Sequence, residues 1–164
     1  MKNKGFSLIE LLIVVAIILI IAAIAIPNLL RSRIAANEAS ATATLRTLNT
    51  SEVTYASTYN SGFTDDLHKL GTPGASNQPS ANYADLVDPV LAGNTGTPAT
   101  TSFVKNGFVF KYAGSGTFGT IAVYSINADP SARGSSGTRS FFTDQSAVVR
   151  ANATAQASNT DNPI

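Results

Sequence analysis

The stretch that decides the fold runs from Gly5 to Pro27 and reads GFSLIELLIVVAIILIIAAIAIP. Leu11 to Ile26 is an unbroken apolar run of sixteen residues, and about 20 apolar residues of helix cross the hydrocarbon core of a bilayer. One carboxylate, Glu10, lies near the start of the stretch. A charge at the centre of a membrane helix costs roughly 2.5–3.5 kcal/mol, so Glu10 requires a partner.

Three interpretations of this segment compete. A buried core helix is disfavoured, because a chain of 164 residues has too little material to surround it on every side. An ordinary secretory signal peptide would use the basic Lys2 and Lys4 and a small-residue site at 23–25, with cleavage before Ile26. A retained membrane helix explains the length of the run, and basic residues on both sides of it leave its orientation open.

Composition limits the chemistry of the rest of the chain. The sequence contains no Cys and one His, so disulfides and Cys-ligated zinc are excluded. The net charge is +1, and no block of like charges favours nucleic-acid binding. Asp65, Asp66 and His68 match no hard-ion loop, and solvated side chains explain them better. Because catalytic and phosphate-binding motifs are also absent, we expect no enzymatic activity, no cofactor and no metal site.

Helical patterning continues beyond Pro27, which lacks an amide hydrogen and is expected to kink the helix. Between residues 30 and 59, apolar side chains recur at spacings of three, four or seven, which predicts one buried stripe. The stripe comprises Leu30, Ile34, Ala41, Leu45, Leu48, Tyr55 and Tyr59. Four charged residues are expected to lie mostly off it: Arg31, Glu38, Arg46 and Glu52. A helix over residues 6–59 therefore needs a sheet packed on its second half.

The segment 60–102 is rich in Gly, Pro, Ser, Thr and Asn, which predicts that loops dominate it. Two short helices are expected within these loops. One covers 65–70 and ends at Gly71, and the other is capped by Ser80 and runs to Val87.

Four β-rich runs follow and predict an antiparallel meander of about four strands over 103–150. They are Phe108–Tyr112, Thr120–Ile126, Ser140–Thr143 and Val148–Arg150. In the first run Phe108, Phe110 and Tyr112 share one face, which would cover the stripe of the helix. The fold class is therefore predicted as α+β, a long helix packed on an antiparallel sheet. The polar segment 151–164 is expected to be loose.

Two short patterns are interpreted by their context. GSGTFG, residues 114–119, fits a dinucleotide-binding motif, but a strand follows it rather than the required helix, so we expect a hairpin turn. Asn49-Thr50-Ser51 and Asn152-Ala153-Thr154 fit the glycosylation acceptor pattern, which is short and depends on the host.

The residues before the apolar run resemble a known family. KGFSLIELL, residues 4–12, is similar to the processing site of type IV prepilins, which carry a class III leader, and of the related pseudopilins. In that family a short basic leader ends in Gly, an aromatic residue follows, and a Glu comes four residues later, as Gly5, Phe6 and Glu10 do here. The resemblance implies cleavage between Gly5 and Phe6 by prepilin peptidase, N-methylation of Phe6 and the pilin fold.

The same resemblance implies a function. The chain would span the inner membrane once as a precursor, through residues 6–26, and then join a homo-oligomeric helical filament, an extracellular type IV pilus, with the help of the pilus assembly machinery. The amine freed on Phe6 would meet Glu10 of a neighbouring subunit, which offsets the cost of burying the carboxylate. Pro27 would mark a weak joint. Adhesion, motility and DNA uptake are all compatible with such a filament, and the sequence does not choose among them.

The C-terminal stretch RSFFTDQSAVVR, residues 139–150, is similar to the last hairpin of many pilins and pseudopilins. Asp144 is expected to cap its turn, and Arg150 is expected to reach a carboxylate. Ala147 stands where Gly is usual, and a left-handed turn there would cost Ala about 1–2 kcal/mol. Sheet pairing must hold this end, because no disulfide is possible.

The predicted organisation is a leader (1–5), a long helix (6–59), a variable loop region (60–102), a sheet (103–150) and a tail (151–164). Two rivals to the pilus subunit remain. One is a pseudopilin of a type II secretion system, which the lack of an acidic calcium-type cluster near the C-terminus disfavours. The other is a secreted binding module with an ordinary signal peptide.

Overall fold

The computed structural model describes residues 5–73, 78–93, 102–116 and 121–164. The chain divides into two compact units, Met1–Arg33 and Ile34–Ile164, and we call the second unit the head. The described elements are helix α1 (Leu8–Tyr59), a 3₁₀ helix (Leu67–Leu70) and strands β1 (Ser102–Lys105), β2 (Phe108–Ser115), β3 (Val123–Pro130), β4 (Ser140–Asp144), β5 (Arg150–Asn152) and β6 (Asn162–Pro163). The predicted α+β fold is confirmed, but the described sheet has six strands instead of four.

Within the head, α1 presents the predicted stripe to the sheet. Four of the predicted positions are buried in the hydrophobic core: Ala41, Leu45, Leu48 and Tyr55. They share this core with the inward face of β2, where Phe108, Phe110 and Tyr112 are buried as predicted. Burying a large apolar side chain contributes about 1.5–3 kcal/mol, so this shared core is what stabilises the amphipathic half of α1.

Four charged residues of α1 were expected to lie mostly off the stripe, and this prediction is wrong for two of them. Glu38 is 6% exposed and Glu52 is 0% exposed. Both lie seven residues from Leu45, so they fall on the same row of the helix as a core leucine. Burial is tolerated because polar groups of the head reach both carboxylates, as described below.

The sheet follows the order of the chain from β1 to β6, with every neighbouring pair antiparallel. Strand β1 was not predicted. It joins β2 through a two-residue turn, Asn106-Gly107, in which both residues have positive φ (47° and 74°). Lys105 pairs directly with Phe108 across this turn. Asn-Gly with positive φ at both positions is typical of a type I′ hairpin, because its twist matches that of the strands.

The third strand begins later than the predicted run at 120–126. Ile121 instead forms a parallel bridge with Gly62, and Phe63 N donates to Ile121 O at 2.8 Å. Gly62 has φ +75°, and a Cβ there would lie 2.3 Å from Ile121 O. Only glycine fits this close approach of two backbones.

The loop region after α1 contains one of the two predicted helices. The 3₁₀ helix Leu67–Leu70 lies within the predicted range 65–70 and is followed by Gly71. Asp66 caps it, since its Oδ1 accepts a hydrogen bond from His68 N at 3.0 Å. The shorter extent fits a 3₁₀ helix, which rarely exceeds four residues.

The second predicted helix, from Ser80 to Val87, is wrong. Ser80 N donates to Tyr83 O (2.9 Å) and Tyr83 N donates to Ser80 O (3.0 Å), which closes a tight turn. Beyond the turn, Leu86 N donates to Leu70 O at 2.8 Å. The backbone of this segment is therefore used to bind the residues at the end of the 3₁₀ helix, and local propensity is overridden.

The C-terminal segment is ordered, so the expectation of a loose tail is wrong. It contributes β6, buries Ala157 (3% exposed) and returns to the sheet through Ile164 N, which donates to Val149 O at 3.0 Å. The Arg133 guanidinium donates to Ala153 O and Ala155 O, each at 3.1 Å. The prediction was misled by the polar composition of this segment. Its main-chain oxygens at Ala153 and Ala155 accept hydrogen bonds from a side chain of the head and not only from water.

The turn between β4 and β5 has the predicted cap. Ser146 N donates to Asp144 Oδ1 at 2.9 Å, and Ala147 N donates to Asp144 O at 2.8 Å. Ala147 has φ +59°, so this alanine occupies the left-handed region. Arg150, expected to reach a carboxylate, instead donates from Nη1 to the main-chain oxygen of Asp161 at 2.8 Å.

Candidate functional site

The candidate processing site lies at the start of the described chain. Gly5 and Phe6 precede α1 and carry no regular secondary structure. Phe6 is 86% exposed, and a Cβ added at Gly5 would meet no atom within 4 Å. The Gly5–Phe6 peptide bond is therefore accessible to a peptidase without unwinding the helix. The leader residues 1–4 lie outside the described part of the chain.

A capping box begins α1 and includes the carboxylate of the apolar stretch. Ser7 Oγ accepts a hydrogen bond from Ile9 N at 3.3 Å, and Ser7 N donates to Glu10 Oε2 at 2.9 Å. This reciprocal pair satisfies two backbone donors that a helix start otherwise leaves free. The sequence-based prediction missed this role of Glu10, although Ser-x-x-Glu before an apolar run is a recognised signal for it.

The apolar half of α1 is exposed in the isolated chain. An 18-residue window of mean hydropathy 3.3 lies within the helix, and none of it is buried. Residues 8–26 would be about 28 Å long at 1.5 Å per residue, close to the hydrocarbon thickness of about 30 Å. By length and composition this segment is able to cross a membrane, and signal sequences near an N-terminus meet the same description.

One face of this segment carries a shallow groove. Its lining residues are Leu8, Leu11, Leu12, Val15, Ala16 and Leu19, which recur at helical spacings of three and four. The small side chain of Ala16 lies between larger ones, which leaves room for a residue of another helix. The groove is thus shaped for helix packing.

Pro27 lies inside α1, and the helix continues through it. Because proline has no amide hydrogen, the carbonyl four residues earlier, at Ala23, loses its helical partner. The weak joint expected at Pro27 stays a prediction.

A buried carboxylate joins the second half of α1 to the sheet region of the head. Glu38 Oε1 accepts hydrogen bonds from Thr138 N (2.8 Å), Thr138 Oγ1 (2.7 Å) and Arg139 N (3.0 Å). Its Oε2 lies 2.8 Å from both Arg139 Nε and Arg139 Nη2. Burial alone would raise the pKa of Glu38, but the hydrogen bonds from Thr138 and Arg139 outweigh it and lower this pKa to about 2.

The candidate metal residues have other roles. Asp65 forms an ion pair with Lys69 Nζ at 2.6 Å, while Asp66 caps the 3₁₀ helix. The His68 ring contacts Tyr83 edge-on, with centroids 5.1 Å apart. Across the described ranges, no three His, Asp or Glu side chains are grouped closely enough to hold a metal ion.

The two short patterns are also placed by the structure. Gly114 lies within β2 and the next described strand is the antiparallel β3, so the GSGTFG segment joins two strands of a hairpin, although 117–119 lie outside the described residues. Asn49 is 4% exposed, and its side chain bonds to Thr143 Oγ1 (2.8 Å) and Tyr124 Oη (3.0 Å). Asn152 Nδ2 donates to Asp161 Oδ1 at 2.8 Å. Both acceptor amides are thus engaged in the fold.

Comparisons with known proteins agree with this description of the N-terminal segment. Residues 1–26 match the family model described as the prokaryotic N-terminal methylation motif. The chain is 63% identical over 46 residues to the type IV wide pilus major component PilA4 of Thermus thermophilus. The matched stretch is 27% of this chain and 35% of that protein. The chain is 46% identical over 56 residues to the type IV major pilin protein PilA of Myxococcus xanthus. The matched stretch is 34% of this chain and 26% of that protein. No solved structure matches the chain significantly.

The motif, the exposed apolar helix and the helix packed on an antiparallel sheet together make the chain similar to type IV pilins with a class III leader. The chain spans about a third or less of the length of the curated relatives that it matches. The predicted resemblance to type IV prepilins is confirmed over this N-terminal segment.

Proposed function

We propose that the chain is a structural subunit of a type IV pilus, with the role of a major pilin. It would be made as a membrane-inserted precursor, cleaved after Gly5, methylated on Phe6 and polymerised through residues 6–26. The observation that carries this proposal is the apolar window of α1, none of which the chain buries itself. Its role is mechanical and not catalytic.

The exposed apolar surface requires a non-aqueous environment at every stage. Each large apolar side chain gains about 1.5–3 kcal/mol when it leaves water, and the run from residue 11 to 26 consists of such residues and alanines. Lipid tails are as apolar as leucine, so moving the helix from a bilayer into a bundle of like helices gains little hydrophobic free energy. Packing and polar pairing must therefore favour the filament over the membrane.

Glu10 would supply that polar pairing. Its hydrogen bond to Ser7 N uses Oε2, so Oε1 retains its lone pairs for a second donor. Cleavage at Gly5 creates such a donor, the amine of the exposed Phe6, and in a filament this amine would come from a neighbouring copy. Opposite charges in a low-dielectric environment attract strongly, which offsets the cost of burying both.

The proposal implies specific locations and partners. The precursor would sit in the inner membrane as a single-pass protein with its head outside the cytoplasm, and the mature subunit would lie in an extracellular filament. Prepilin peptidase and the pilus assembly machinery would act on it, and other copies of the same chain would be its neighbours.

The N-terminus of the mature protein tests the proposal against an ordinary signal peptide. Mass spectrometry of protein from cells should find Phe6, methylated on its amine, as the first residue. Gly5→Val should block trimming without disturbing the fold, because no atom lies near the added side chain. Ala25→Leu is the matched control for processing, since it alters the rival cleavage site and leaves Gly5 and Phe6 unchanged. Mature protein that starts at Ile26, and is lost in Ala25→Leu, would refute the proposal.

Electron microscopy of cells separates a pilus from a secretion pseudopilus. We expect long surface filaments that disappear when the gene is deleted and return with the wild-type copy. A deletion strain that keeps its filaments but loses protein secretion would assign the chain to the pseudopilins instead.

A further inference from the structure

Glu52 is the most buried carboxylate of the described part of the head. It lies on α1, is 0% exposed, and faces Thr64 in the loop after the helix and Tyr112 on β2. Its Oε2 accepts a hydrogen bond from Thr64 N at 2.9 Å, and its Oε1 lies 2.6 Å from Thr64 Oγ1. Within the described ranges, the ion pairs are Lys69–Asp65 and Arg139–Glu38, so neither involves Glu52. An ionised carboxylate here would be a buried charge without a counter-ion, which is costly.

The hydrogen count around Thr64 indicates where the proton lies. Thr64 Oγ1 carries one hydrogen but lies within bonding distance of two oxygens, Glu52 Oε1 (2.6 Å) and Tyr112 Oη (3.1 Å). Tyr112 Oη cannot donate to Thr64 Oγ1, because its single hydrogen is directed at Thr64 O, 2.6 Å away, and a carbonyl oxygen only accepts. If Glu52 were ionised, one of the two Thr64 Oγ1 contacts would join two oxygens with no hydrogen between them.

A proton on Glu52 completes every contact in this group. Glu52 Oε1–H then donates to Thr64 Oγ1, Thr64 Oγ1–H donates to Tyr112 Oη, and Tyr112 Oη–H donates to Thr64 O. Each hydroxyl donates once, and Glu52 Oε2 still accepts from Thr64 N. Such fully satisfied chains are mutually reinforcing in a low-dielectric interior.

We propose that Glu52 is a neutral carboxylic acid in the folded head at neutral pH, and that its proton completes the hydrogen bonds that link α1 to Thr64 and β2. We call this pH-sensitive set of hydrogen bonds the lock. The lock is independent of filament assembly, because all of its groups belong to one chain.

The surroundings of Glu52 favour the neutral form. Burial raises the pKa of Glu52, the nearby Asp65 raises it further, and the hydrogen bonds from Thr64 oppose this only in part. The other titratable groups that face the carboxylate are the phenols of Tyr55, Tyr112 and Tyr124, each with its own pKa raised and therefore uncharged. The positive charge of Lys69 is used by Asp65.

The sign of the effect follows from linkage. A carboxyl group whose pKa is higher in the folded chain contributes stability that is fully present below the unfolded pKa and is lost as pH rises through the folded pKa. The contribution of Glu52 should therefore fall as pH rises above the ordinary range of a carboxyl group, whereas that of Glu38, with its lowered pKa, is lost in acid.

The chain contains only three glutamates, Glu10, Glu38 and Glu52, so selective ¹³C labelling of glutamate yields three side-chain carboxyl resonances. In the full chain in detergent micelles at neutral pH, one resonance should have the chemical shift of a protonated carboxyl group; it should disappear in Glu52→Gln but remain in Glu38→Gln. If the resonance that Glu52→Gln removes has the chemical shift of an ionised carboxylate at neutral pH, the proposal is overturned.

Thermal unfolding as a function of pH tests the lock itself. We expect the Tm of wild type to fall relative to that of Glu52→Gln as pH rises from about 6 to 9, while Glu38→Gln shows no such divergence. Parallel curves for wild type and Glu52→Gln would contradict a lock. If Glu52→Gln does not fold, the variants Glu10→Gln and Glu38→Gln still assign the Glu52 resonance of the wild type by elimination.

Discussion

Replacing Glu38 by Gln removes one negative charge from the contact between α1 and the 138–139 backbone while keeping the size of the side chain. Glu38 accepts hydrogen bonds from two main-chain amides, a hydroxyl and the Arg139 guanidinium. The amide of Gln can still accept some of these bonds, but it offers no charge to Arg139 and turns one acceptor into a donor.

The magnitude follows from the lowered pKa of Glu38. A fall from the usual value of 4.5 to about 2 corresponds to about 3 kcal/mol of preference for the charged form, at about 1.36 kcal/mol for each pKa unit. The Arg139 side chain is 46% exposed, so solvent screens its part, and we expect a loss of about 2 kcal/mol at neutral pH. For a unit of this size, that loss lowers Tm by roughly 6–10 °C.

Circular dichroism of the full chain in detergent gives the measurement. Because the folded pKa of Glu38 is below its unfolded value, its contribution is present above about pH 4.5 and is lost as pH falls towards 2. The Tm difference between wild type and Glu38→Gln should therefore shrink in acid. Arg46→Ala, an exposed substitution on the same helix, should leave Tm almost unchanged. A Glu38→Gln difference that stays constant from neutral pH to about pH 2.5 would refute this account of the contact.

Three further substitutions have definite expected outcomes. Ala147→Gly should stabilise the head by about 1 kcal/mol, because Gly takes positive φ without the steric penalty of alanine, and an unchanged or lower Tm would contradict this. Gly62→Ala should destabilise it by about 2–4 kcal/mol, since the new Cβ meets Ile121 O, and a wild-type denaturation midpoint would disprove the close approach. Ser7→Ala should weaken the first turn of α1 by about 0.5–2 kcal/mol, seen as faster amide hydrogen exchange at Ile9, whereas equal exchange rates would exclude the capping box.

The general architecture is readable from the sequence because two periodicities are strong. The unbroken apolar run and the three-four-seven spacing define α1, and the alternation of Phe108, Phe110 and Tyr112 defines the inner face of β2. The spacing on the second half of α1 and the alternation on β2 reflect burial of apolar area, which is the largest favourable contribution to folding, whereas the apolar run is not buried within the chain. The candidate processing residues Gly5 and Phe6 were identified from the resemblance of residues 4–12 to the prepilin processing site, and their cleavage stays a prediction.

Other features escaped prediction although a signal was present. The Asn106-Gly107 pair marks the β1–β2 hairpin, and Ser7 with Glu10 marks the capping box, yet both are two-residue signals inside longer patterns. Glu38 was expected to lie mostly off the apolar stripe, but it is buried. Its partners lie 100 residues away or more in sequence, and only the folded chain brings them together.

The failures at 80–87 and 151–164 have a common physical cause. Neither segment has a clear hydrophobic periodicity, so local rules assign a helix cap to Ser80 and a loose structure to the polar tail. In the structure their main-chain groups bond to remote positions, such as Leu70 for the first segment and Arg133 for the second. Tertiary hydrogen bonds of this kind leave no trace in a local pattern.

The last strand has a consequence for the proposed filament, in which each head would be surrounded by copies of itself. An open sheet edge is a template on which a second chain can add a strand, and high local concentration favours such unwanted pairing. Here the β6 edge is only two residues long and ends in Pro163, which has no amide hydrogen to offer. This edge of the sheet therefore offers few free main-chain groups, which should disfavour the addition of a strand from a neighbouring copy.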